Sequence, residues 1–207
     1  DTGVVSGFGK TVSEQFDDYF NVVRENPSDV RLVFDVFNRS RILCAVREGP
    51  YGVNAVNRLL ANAILKMQAD GNQAGKNLRE KWFAGQPVMV RRNDYVLKLF
   101  NGDVGIVLPD AAGNLSVYFP DEDGSFRSVP PSRISDFETS FAMTVHQSQG
   151  SEFDSVLLLL PSEHSRVLSR ELIYTGITRA RSKITIASRL PVLLESLQHD
   201  SARRSGL

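Results

Sequence analysis

Residues 144–186 have the sequence TVHQSQGSEFDSVLLLLPSEHSRVLSRELIYTGITRARSKITI, and this stretch decides the fold. Its apolar run at 156–160 is continuous rather than alternating, which is typical of a strand covered on both faces. Ser169 can cap a helix that continues over about 170–181, and residues 184–186 alternate as on a short strand. A strand, a helix and a strand in succession predict a βαβ unit with a right-handed crossover, and therefore a parallel sheet.

The remainder of the chain predicts further helices, one more buried strand and a β insertion. Helical periodicity extends over 11–25, 30–37 and 53–67, an apolar run at 42–46 is short enough for a buried strand, and a last helix follows Pro191. Four strand-like runs lie at 88–92, 104–108, 115–119 and 126–129, and each of the three turns between them contains a glycine. Short strands with this spacing indicate a small closed antiparallel unit. We therefore predict an α/β fold, a parallel layer interrupted by a β insertion.

The composition is that of a globular chain with one or two domains. Of its 207 residues, 42 % are hydrophobic and 23 % are charged, which excludes a disordered, collagen-like or coiled-coil chain. The 24 basic and 24 acidic residues cancel but lie in blocks, acidic over 14–35 and 110–138 and basic over 39–58 and 76–99. Such blocks are compatible with a local phosphate-binding face or with ordinary solvated faces, and charge alone does not decide between them.

The single cysteine, Cys44, cannot form an internal disulfide, so a reducing compartment is expected. No apolar run approaches the ~20 residues of a membrane helix, and no secretory signal opens the chain. The first residue is Asp rather than Met. We therefore expect a piece of a longer protein that has no membrane partner.

Gly9-Lys10-Thr11 imitates the end of a phosphate-binding P-loop. The motif requires a glycine at position 4, which is Val4, because Gly3 is one residue too early. Too few residues precede the tripeptide to form the strand that such a loop follows. We therefore expect no nucleotide site there and predict a loop before the first helix.

Residues 144–153 combine hydroxyls, amides, His146 and the flexible Gly150 directly before the buried strand. A polar cluster at one end of a parallel sheet is a candidate ligand site. Hydroxyls and backbone amides suit phosphate oxygens, and Glu152 can accept a hydrogen bond from a ribose hydroxyl. A polar turn with a solvated His146 explains the same residues equally well, so both interpretations stay open.

A second group, Thr178, Arg179 and Arg181, ends the predicted helix. The helix dipole favours cations at that end and accounts for one arginine. A more specific interpretation is an arginine that stabilises charge on a transferring phosphoryl group. Guanidinium suits that role because it is planar, permanently charged and bidentate toward phosphate oxygens.

The two motifs together, TVHQSQGSEF at 144–153 and ELIYTGITRAR at 171–181, resemble the fifth and sixth motifs of superfamily-one helicases. Further stretches are similar to the C-terminal region of the RecD family, the alpha subunits of exodeoxyribonuclease V; they are residues 43–54, 87–95, 99–106 and 203–207. The resemblance covers residues 39–207, and residues 1–38 match only loosely.

This resemblance implies a subunit of an ATP-dependent 5′-to-3′ DNA helicase that unwinds DNA in double-strand break repair and recombination. The fold would be a RecA-like, P-loop NTPase-like second motor domain at 39–85 and 135–207, with an SH3-like β-barrel inserted at 86–134 and a helical lead-in at 1–38. The implied partners are single-stranded DNA, the first motor domain of the same polypeptide, and the RecB and RecC subunits, in the bacterial cytoplasm.

The same resemblance implies roles for individual residues. The catalytic residue would be Arg179, which reaches the ATP γ-phosphate, and the nucleotide-binding set would be Gly150, Glu152, Arg179 and Arg47. The DNA-binding set would be Thr144, His146, Arg92, Asn93 and Asn101. In the barrel, Tyr95 is available for stacking on bases, whereas Phe100 is expected in the core.

The family's P-loop, its magnesium-binding acidic motif and its first motor domain are missing from these 207 residues. ATP hydrolysis requires the phosphate cradle and Mg²⁺ as well as the arginine. ATP and Mg²⁺ would therefore be held mainly by the missing domain, no metal ligands are expected in this chain, and the chain alone is expected to be inactive. Gln147 stands where the family usually has lysine, so weaker contact with DNA or phosphate is expected there.

Two alternatives stay open. Within the helicases, a free-standing RecD-like helicase or a relaxase-type helicase shares the last two motifs. The alternative from a different class is that the chain is a non-catalytic module, an SH3-like barrel on an α/β base that binds a protein partner. The helicase interpretation depends on Arg179 and Glu152 converging on one cleft.

Overall fold

The computed structural model describes residues 2–71, 82–163 and 165–198. The described residues form two compact units, the first from within 1–38 and 57–141 and the second from within 39–56 and 142–207. These units group the residues differently from the three predicted segments, whose boundaries stay a prediction.

The helices of the described residues are α1 (Thr2–Glu14), α2 (Asp17–Glu25), α3 (Val30–Arg39), α4 (Val53–Gly71), α5 (Arg170–Ile177) and α6 (Leu190–Gln198), with a 3₁₀ turn at Pro131–Arg133. The strands are β1 (Ser40–Cys44), β2 (Pro87–Val90), β3 (Val104–Pro109), β4 (Leu115–Pro120), β5 (Phe126–Val129), β6 (Phe137–Thr139), β7 (Ala142–Thr144), β8 (Phe153–Leu159) and β9 (Ala180–Ala187). In this part of the chain no helix has the length and apolar character needed to cross a bilayer.

A four-stranded parallel sheet forms the centre of the second unit, in the order β7-β1-β8-β9. The apolar run that predicted β8 is buried, with residues 156–160 at most 2 % exposed. Ser169 caps α5, because its Oγ accepts a hydrogen bond from the Leu172 N–H at 3.2 Å. The predicted βαβ unit is thus confirmed as β8–α5–β9, and with it the α/β class. Cys44 lies in the same core, and burial raises the pKa of its thiol to about 12.

The α5 helix ends earlier than predicted, at Ile177 rather than Arg181, and β9 begins at Ala180. The cause is strand pairing, because the Phe153 N–H donates to the Arg179 carbonyl at 2.8 Å and Ala180 lies beside Phe153 in the ladder. A helix continuing through Arg179 could not offer that carbonyl to β8. The sheet therefore determines where the helix stops.

A five-stranded antiparallel sheet forms part of the first unit, in the order β5-β4-β3-β2-β6. Strands β2 to β5 follow one another as neighbours, and β6 returns to pair with β2 on its other side. Their core is apolar and includes Val88, Leu99, Val107, Val117 and Phe119. An antiparallel sheet is thus present where it was predicted, whereas its closure into a barrel stays a prediction. Strand β6 lies beyond the predicted end of the unit because Phe137–Thr139 is too short and too polar to be recognised as a strand.

The predicted helix over 11–25 is two helices, α1 and α2, with Phe16 between them. Phe16 is 1 % exposed, and its ring lies 6.0 Å from Tyr19 and 5.6 Å from Phe141. Burial of this ring in an aromatic cluster accounts for the break better than local propensity does. The tripeptide Gly9-Lys10-Thr11 lies inside α1, so the predicted loop before the first helix is wrong.

Gly85 provides a test of packing in the first unit. Its φ of +77° is in the left-handed region, and an added Cβ would lie 2.6 Å from Ile64 Cδ1 and 2.7 Å from Val23 Cγ1. Its carbonyl also accepts a hydrogen bond from the Tyr19 hydroxyl at 2.8 Å. We expect Gly85→Ala to lower the free energy of unfolding, as measured by urea unfolding. Backbone strain should cost about 1–2 kcal/mol, and overpacking should cost about 1–3 kcal/mol more.

Gly113 is the matched control, because its φ of +84° is similar but nothing lies within 4 Å of an added Cβ. Gly113→Ala should therefore show the backbone strain of about 1–2 kcal/mol alone. Equal losses for the two variants would contradict the proposed close packing around Gly85.

Candidate nucleotide and nucleic-acid sites

The amino ends of β8 and β9 bring the two predicted motifs together. Phe153 and Ala180 are partners in the parallel ladder, so the residues just before them in sequence lie at one edge of the sheet. The Arg179 side chain reaches across this edge, where its Nη1 donates to the Ser151 carbonyl at 3.1 Å. The Arg179 guanidinium therefore contacts the residue that directly precedes Glu152.

The Arg179 guanidinium is held by three neutral acceptors. Besides the bond to Ser151, Nε donates to the Thr175 carbonyl at 3.2 Å and Nη2 donates to the Thr178 hydroxyl at 3.3 Å. Thr175 and Thr178 belong to the end of α5, where the helix dipole favours a cation. These contacts orient the planar group without neutralising its charge, which suits an arginine that faces an anion.

Glu152 contacts a different arginine. Its Oε2 accepts a hydrogen bond from Arg181 Nε at 3.1 Å, and both side chains are more than half exposed. An exposed pair of this kind contributes at most about 1 kcal/mol, so the Glu152 carboxylate can exchange partners at little cost. Arg181 had no predicted role; the signal that could have found it is its position at the start of β9, two residues after Arg179.

Gly150 completes this edge with a backbone conformation that favours glycine. Its φ is +87°, and an added Cβ would meet nothing within 4 Å. The residue therefore serves the turn into β8 and leaves open space beside Ser151 and Glu152. Of the predicted nucleotide-binding set, Gly150, Glu152 and Arg179 lie together.

Arg47 does not join them. It follows β1, whose Cys44 lies opposite Leu159 at the carboxyl ends of the strands, whereas Arg179 precedes β9 at the amino end. The Asn54 N–H donates to the Arg47 carbonyl at 3.1 Å, and an added Cβ on Gly52 would lie 2.6 Å from that carbonyl oxygen. The tight turn over 47–54 thus holds Arg47 at the opposite edge of the sheet from the other three residues.

Thr144, which was predicted to contact DNA, forms hydrogen bonds with Gln147. Its N–H and its hydroxyl both donate to Gln147 Oε1, at 3.0 and 3.1 Å, and its Oγ1 accepts from the Gln147 N–H at 3.2 Å. Thr144 is 9 % exposed, whereas His146 in the same turn is exposed. Sequence reasoning treated Gln147 as a lost charge and missed that its amide closes this turn.

A loop of the first unit brings the remaining predicted residues together. Asn93 Oδ1 accepts a hydrogen bond from the Asn101 N–H at 2.8 Å, and Arg92 is exposed next to it. Asp94 and Leu99 exchange two backbone hydrogen bonds of 2.7 and 2.9 Å, which closes the segment that we call the 93–101 loop.

The 93–101 loop presents apolar side chains to solvent. Tyr95 is 77 % exposed, Val96 83 % and Phe100 50 %, and the Tyr95 and Phe100 rings meet edge to face at 6.4 Å. The expectation that Phe100 lies in the core is wrong, because Leu99 takes the buried position and the next residue must point outward. Exposed aromatic residues on a loop closed by its own hydrogen bonds are typical of a binding surface.

The described residues contain no group of three or more His, Cys, Asp or Glu side chains that could hold a metal ion.

Similarity to known proteins first identifies the class of protein, which is a helicase. Residues 139–187 match the model of the UvrD-like helicase C-terminal domain. This match includes β7, β8, α5 and β9, and so contains the edge at which Glu152 and Arg179 meet. The resemblance to superfamily-one helicases is confirmed for this segment.

The same chain is homologous to the C-terminal region of RecD. It is 38 % identical over 179 residues to the RecBCD enzyme subunit RecD of Mycolicibacterium smegmatis, covering 86 % of this chain and 30 % of that protein. It is 35 % identical over 171 residues to the same subunit of Haemophilus influenzae, with 83 % and 25 % covered. The chain therefore spans about a third or less of the length of these curated relatives.

Further similarities are more distant. The chain is 33 % identical over 143 residues to the ATP-dependent RecD2 DNA helicase of Deinococcus radiodurans, covering 69 % of this chain and 19 % of that protein. Among solved structures, the Pif1 helicase of Candida albicans matches with a TM-score of 0.45 at 18 % identity, covering 88 % of this chain and 57 % of that one.

The closed turn at Thr144 leads to a stability prediction. Gln147→Ala removes the acceptor of two hydrogen bonds and leaves the Thr144 N–H and hydroxyl unsatisfied, so we expect a loss of about 1–3 kcal/mol in the free energy of unfolding. Gln149 is the matched control, because it is an exposed glutamine in the same turn, and Gln149→Ala should change stability by less than about 0.5 kcal/mol. Similar values for the two variants in denaturant unfolding would show that Gln147 does not hold the turn.

Proposed function

We propose that this chain is the second motor domain of a RecD-type, ATP-driven 5′-to-3′ DNA helicase, which binds single-stranded DNA and completes an ATP site held mainly by another part of the polypeptide. The observation that carries the proposal is the meeting of Arg179 and Glu152 at the amino ends of β8 and β9. The two residues lie in separate motifs, and the Arg179 contact with Ser151 at 3.1 Å brings them to one edge.

The chemistry proposed for this edge follows from its charges. Arg179 has a guanidinium oriented by neutral oxygens, so its full charge is available to stabilise the negative charge that develops on a transferring phosphoryl group. Glu152 is proposed to leave Arg181 and accept a hydrogen bond from a ribose hydroxyl. ATP with Mg²⁺ would supply the reacting phosphates from the missing domain, and Gly150 would give the nucleotide room at this edge.

The proposed domain division is a RecA-like motor domain at 39–85 and 135–207, an inserted SH3-like barrel at 86–134, and a helical lead-in at 1–38. The order of the antiparallel strands supports the barrel: four strands in succession, a 3₁₀ turn at Pro131–Arg133, and a fifth strand that pairs with the first.

Single-stranded DNA is proposed to contact both units. In the first unit the 93–101 loop would offer Asn93 and Asn101 to the backbone and Tyr95 and Phe100 to the bases, with Arg92 beside it. In the second unit His146 would meet the backbone, and Thr144 would act through the turn that it forms with Gln147. Basic side chains combined with exposed aromatic rings are the usual means of binding single strands without sequence preference.

The proposed partners follow from the relatives. Those relatives are named as subunits of the RecBCD enzyme. We therefore propose that this chain contacts the RecB and RecC subunits in the bacterial cytoplasm, as well as the first motor domain of the same polypeptide. A free-standing helicase of the RecD2 type is the second candidate, because the match with that protein is also significant over 69 % of the chain. Purification of the full-length polypeptide with and without the other subunits distinguishes the two.

The proposed role of Arg179 predicts a large effect on catalysis. In the full-length polypeptide, Arg179→Ala should lower the kcat of DNA-stimulated ATP hydrolysis by about a thousandfold to 100,000-fold, the range for such arginines, with little change in KM. Arg189→Ala, at an exposed arginine after β9, is the control and should retain activity. The 207-residue chain alone should hydrolyse no ATP above background; turnover by it would contradict the proposal.

The proposed DNA contact predicts a steep dependence on salt. For the 207-residue chain and a labelled oligothymidine, the logarithm of the binding constant should fall linearly with the logarithm of salt concentration, by about 0.7 for each phosphate neutralised. Arg92→Ala should reduce this slope by about 0.7, whereas Arg58→Ala, at an exposed arginine on α4, should not. Absence of any salt-dependent binding would favour the alternative, a module that binds a protein partner.

A further inference from the structure

The 93–101 loop is tied to a distant strand by one side chain. Arg127 on β5 donates from Nη2 to the Lys98 carbonyl at 2.9 Å, across 29 positions of sequence. Lys98 lies at the tip of the loop, between the exposed Tyr95 and Phe100. The contact therefore fixes the backbone that separates the two aromatic residues proposed to stack on bases.

The backbone at Lys98 needs such support. In the described part of the chain, Lys98 is the one residue other than glycine with a positive φ, 52°. A side chain in the left-handed region is disfavoured by contact between its Cβ and the following carbonyl. A conformation of this kind persists where the surrounding structure holds it, and it occurs often at ligand-binding sites.

The surroundings of Arg127 identify it as a support rather than a contact for phosphate. Its Nη1 pairs with Asp121 Oδ1 at 3.2 Å, and its side chain is only 28 % exposed. One arm of the planar guanidinium thus binds a carboxylate while the other binds the Lys98 carbonyl, a two-sided arrangement that suits arginine better than lysine. The charge of Arg127 is balanced by Asp121, unlike that of the exposed Arg92.

The remainder of the loop is held by shorter-range bonds. Asp94 Oδ1 accepts from the N–H groups of Val96 and Leu97, at 3.0 and 2.9 Å, and Asp103 Oδ2 accepts from the Phe100 N–H at 2.8 Å. Of the Lys98–Leu99 peptide, the N–H is held by the Asp94 carbonyl at 2.9 Å, and the Lys98 carbonyl is held by Arg127. Loss of Arg127 would therefore release the Lys98 carbonyl while the loop stays closed at its base.

We propose that Arg127 is a positioning residue of the nucleic-acid site, which holds the Lys98 turn so that Tyr95 and Phe100 are set in advance to stack on unpaired bases. This inference rests on the proposed binding of single-stranded DNA and adds the ligand chemistry of the loop, which is the flat face of a base rather than the phosphate. A rigid platform loses less conformational freedom on binding than a mobile one.

The test uses the 207-residue chain and an oligothymidine that carries 2-aminopurine, whose fluorescence changes when it stacks. Tyr95→Ala should weaken binding by about 5-fold to 150-fold, the range for a lost base–aromatic stack, and should remove most of the fluorescence change. Arg127→Ala should weaken binding by about threefold to tenfold, less than the loss of a whole base–aromatic stack, and should reduce the fluorescence change with no effect on the salt slope. Arg58→Ala, which also loses one positive charge, should leave the fluorescence change intact.

Arg127→Lys keeps the positive charge but lacks the planar guanidinium. It therefore tests the positioning role if circular dichroism shows that Arg127→Ala does not fold. If Arg127→Lys gives a smaller fluorescence change than the unmodified chain and an unaltered salt slope, the positioning role is supported. A full fluorescence change in Arg127→Lys, or a fall in the salt slope of Arg127→Ala with normal fluorescence, overturns it. Failure of the unmodified chain to bind the oligonucleotide would instead overturn the proposed function, and it would be seen before any variant is made.

Discussion

The hydrogen bond from the Phe153 N–H to the Arg179 carbonyl is the contact on which the candidate site at the amino ends of β8 and β9 depends. Parallel strands require a crossover between them, and here α5 makes that crossover and ends just where Arg179 must begin the pairing with β8. The strand pairing therefore does two things at once. It terminates the helix and brings the end of one motif beside the end of the other, although about 27 residues of chain separate Glu152 from Arg179.

The two arginines at this edge have different partners, and the difference bears on their roles. Arg179 is oriented by backbone carbonyls and a hydroxyl, all neutral, whereas Arg181 is paired with the Glu152 carboxylate in an exposed ion pair. A fixed and uncompensated cation is suited to meet an anion. A weak exposed pair is suited to be exchanged, because its loss costs little in water. In the proposed function, Arg181 would therefore hold Glu152 in place until a nucleotide binds, without competing strongly for it.

The parts of the fold that could be predicted are those with a strong local pattern. The continuous apolar run at 156–160, the Ser169 cap and the turns between 86 and 134 each predicted an element that the structure contains. What could not be predicted depended on contacts distant in sequence. Phe16 interrupts a helical pattern because Phe141 packs on its ring, and Phe100 is exposed because Leu99 fills the core. The same division applies to the candidate site. The two motifs predicted that Glu152 and Arg179 converge, whereas Arg127 and Gln147 act through tertiary contacts that no sequence spacing indicates.

A chain with no net charge can bind a polyanion only where its charges are locally unbalanced, and the 93–101 loop shows how that imbalance is made. Arg91 and Arg127 each face a carboxylate, Glu138 and Asp121 respectively, so their charges serve the fold. Arg92 and Lys98 are exposed, and their charges face solvent beside the aromatic rings. The acidic residues near the loop thus do not oppose binding. They neutralise Arg91 and Arg127, and the proposed contact with bases is left to rings flanked by Arg92 and Lys98.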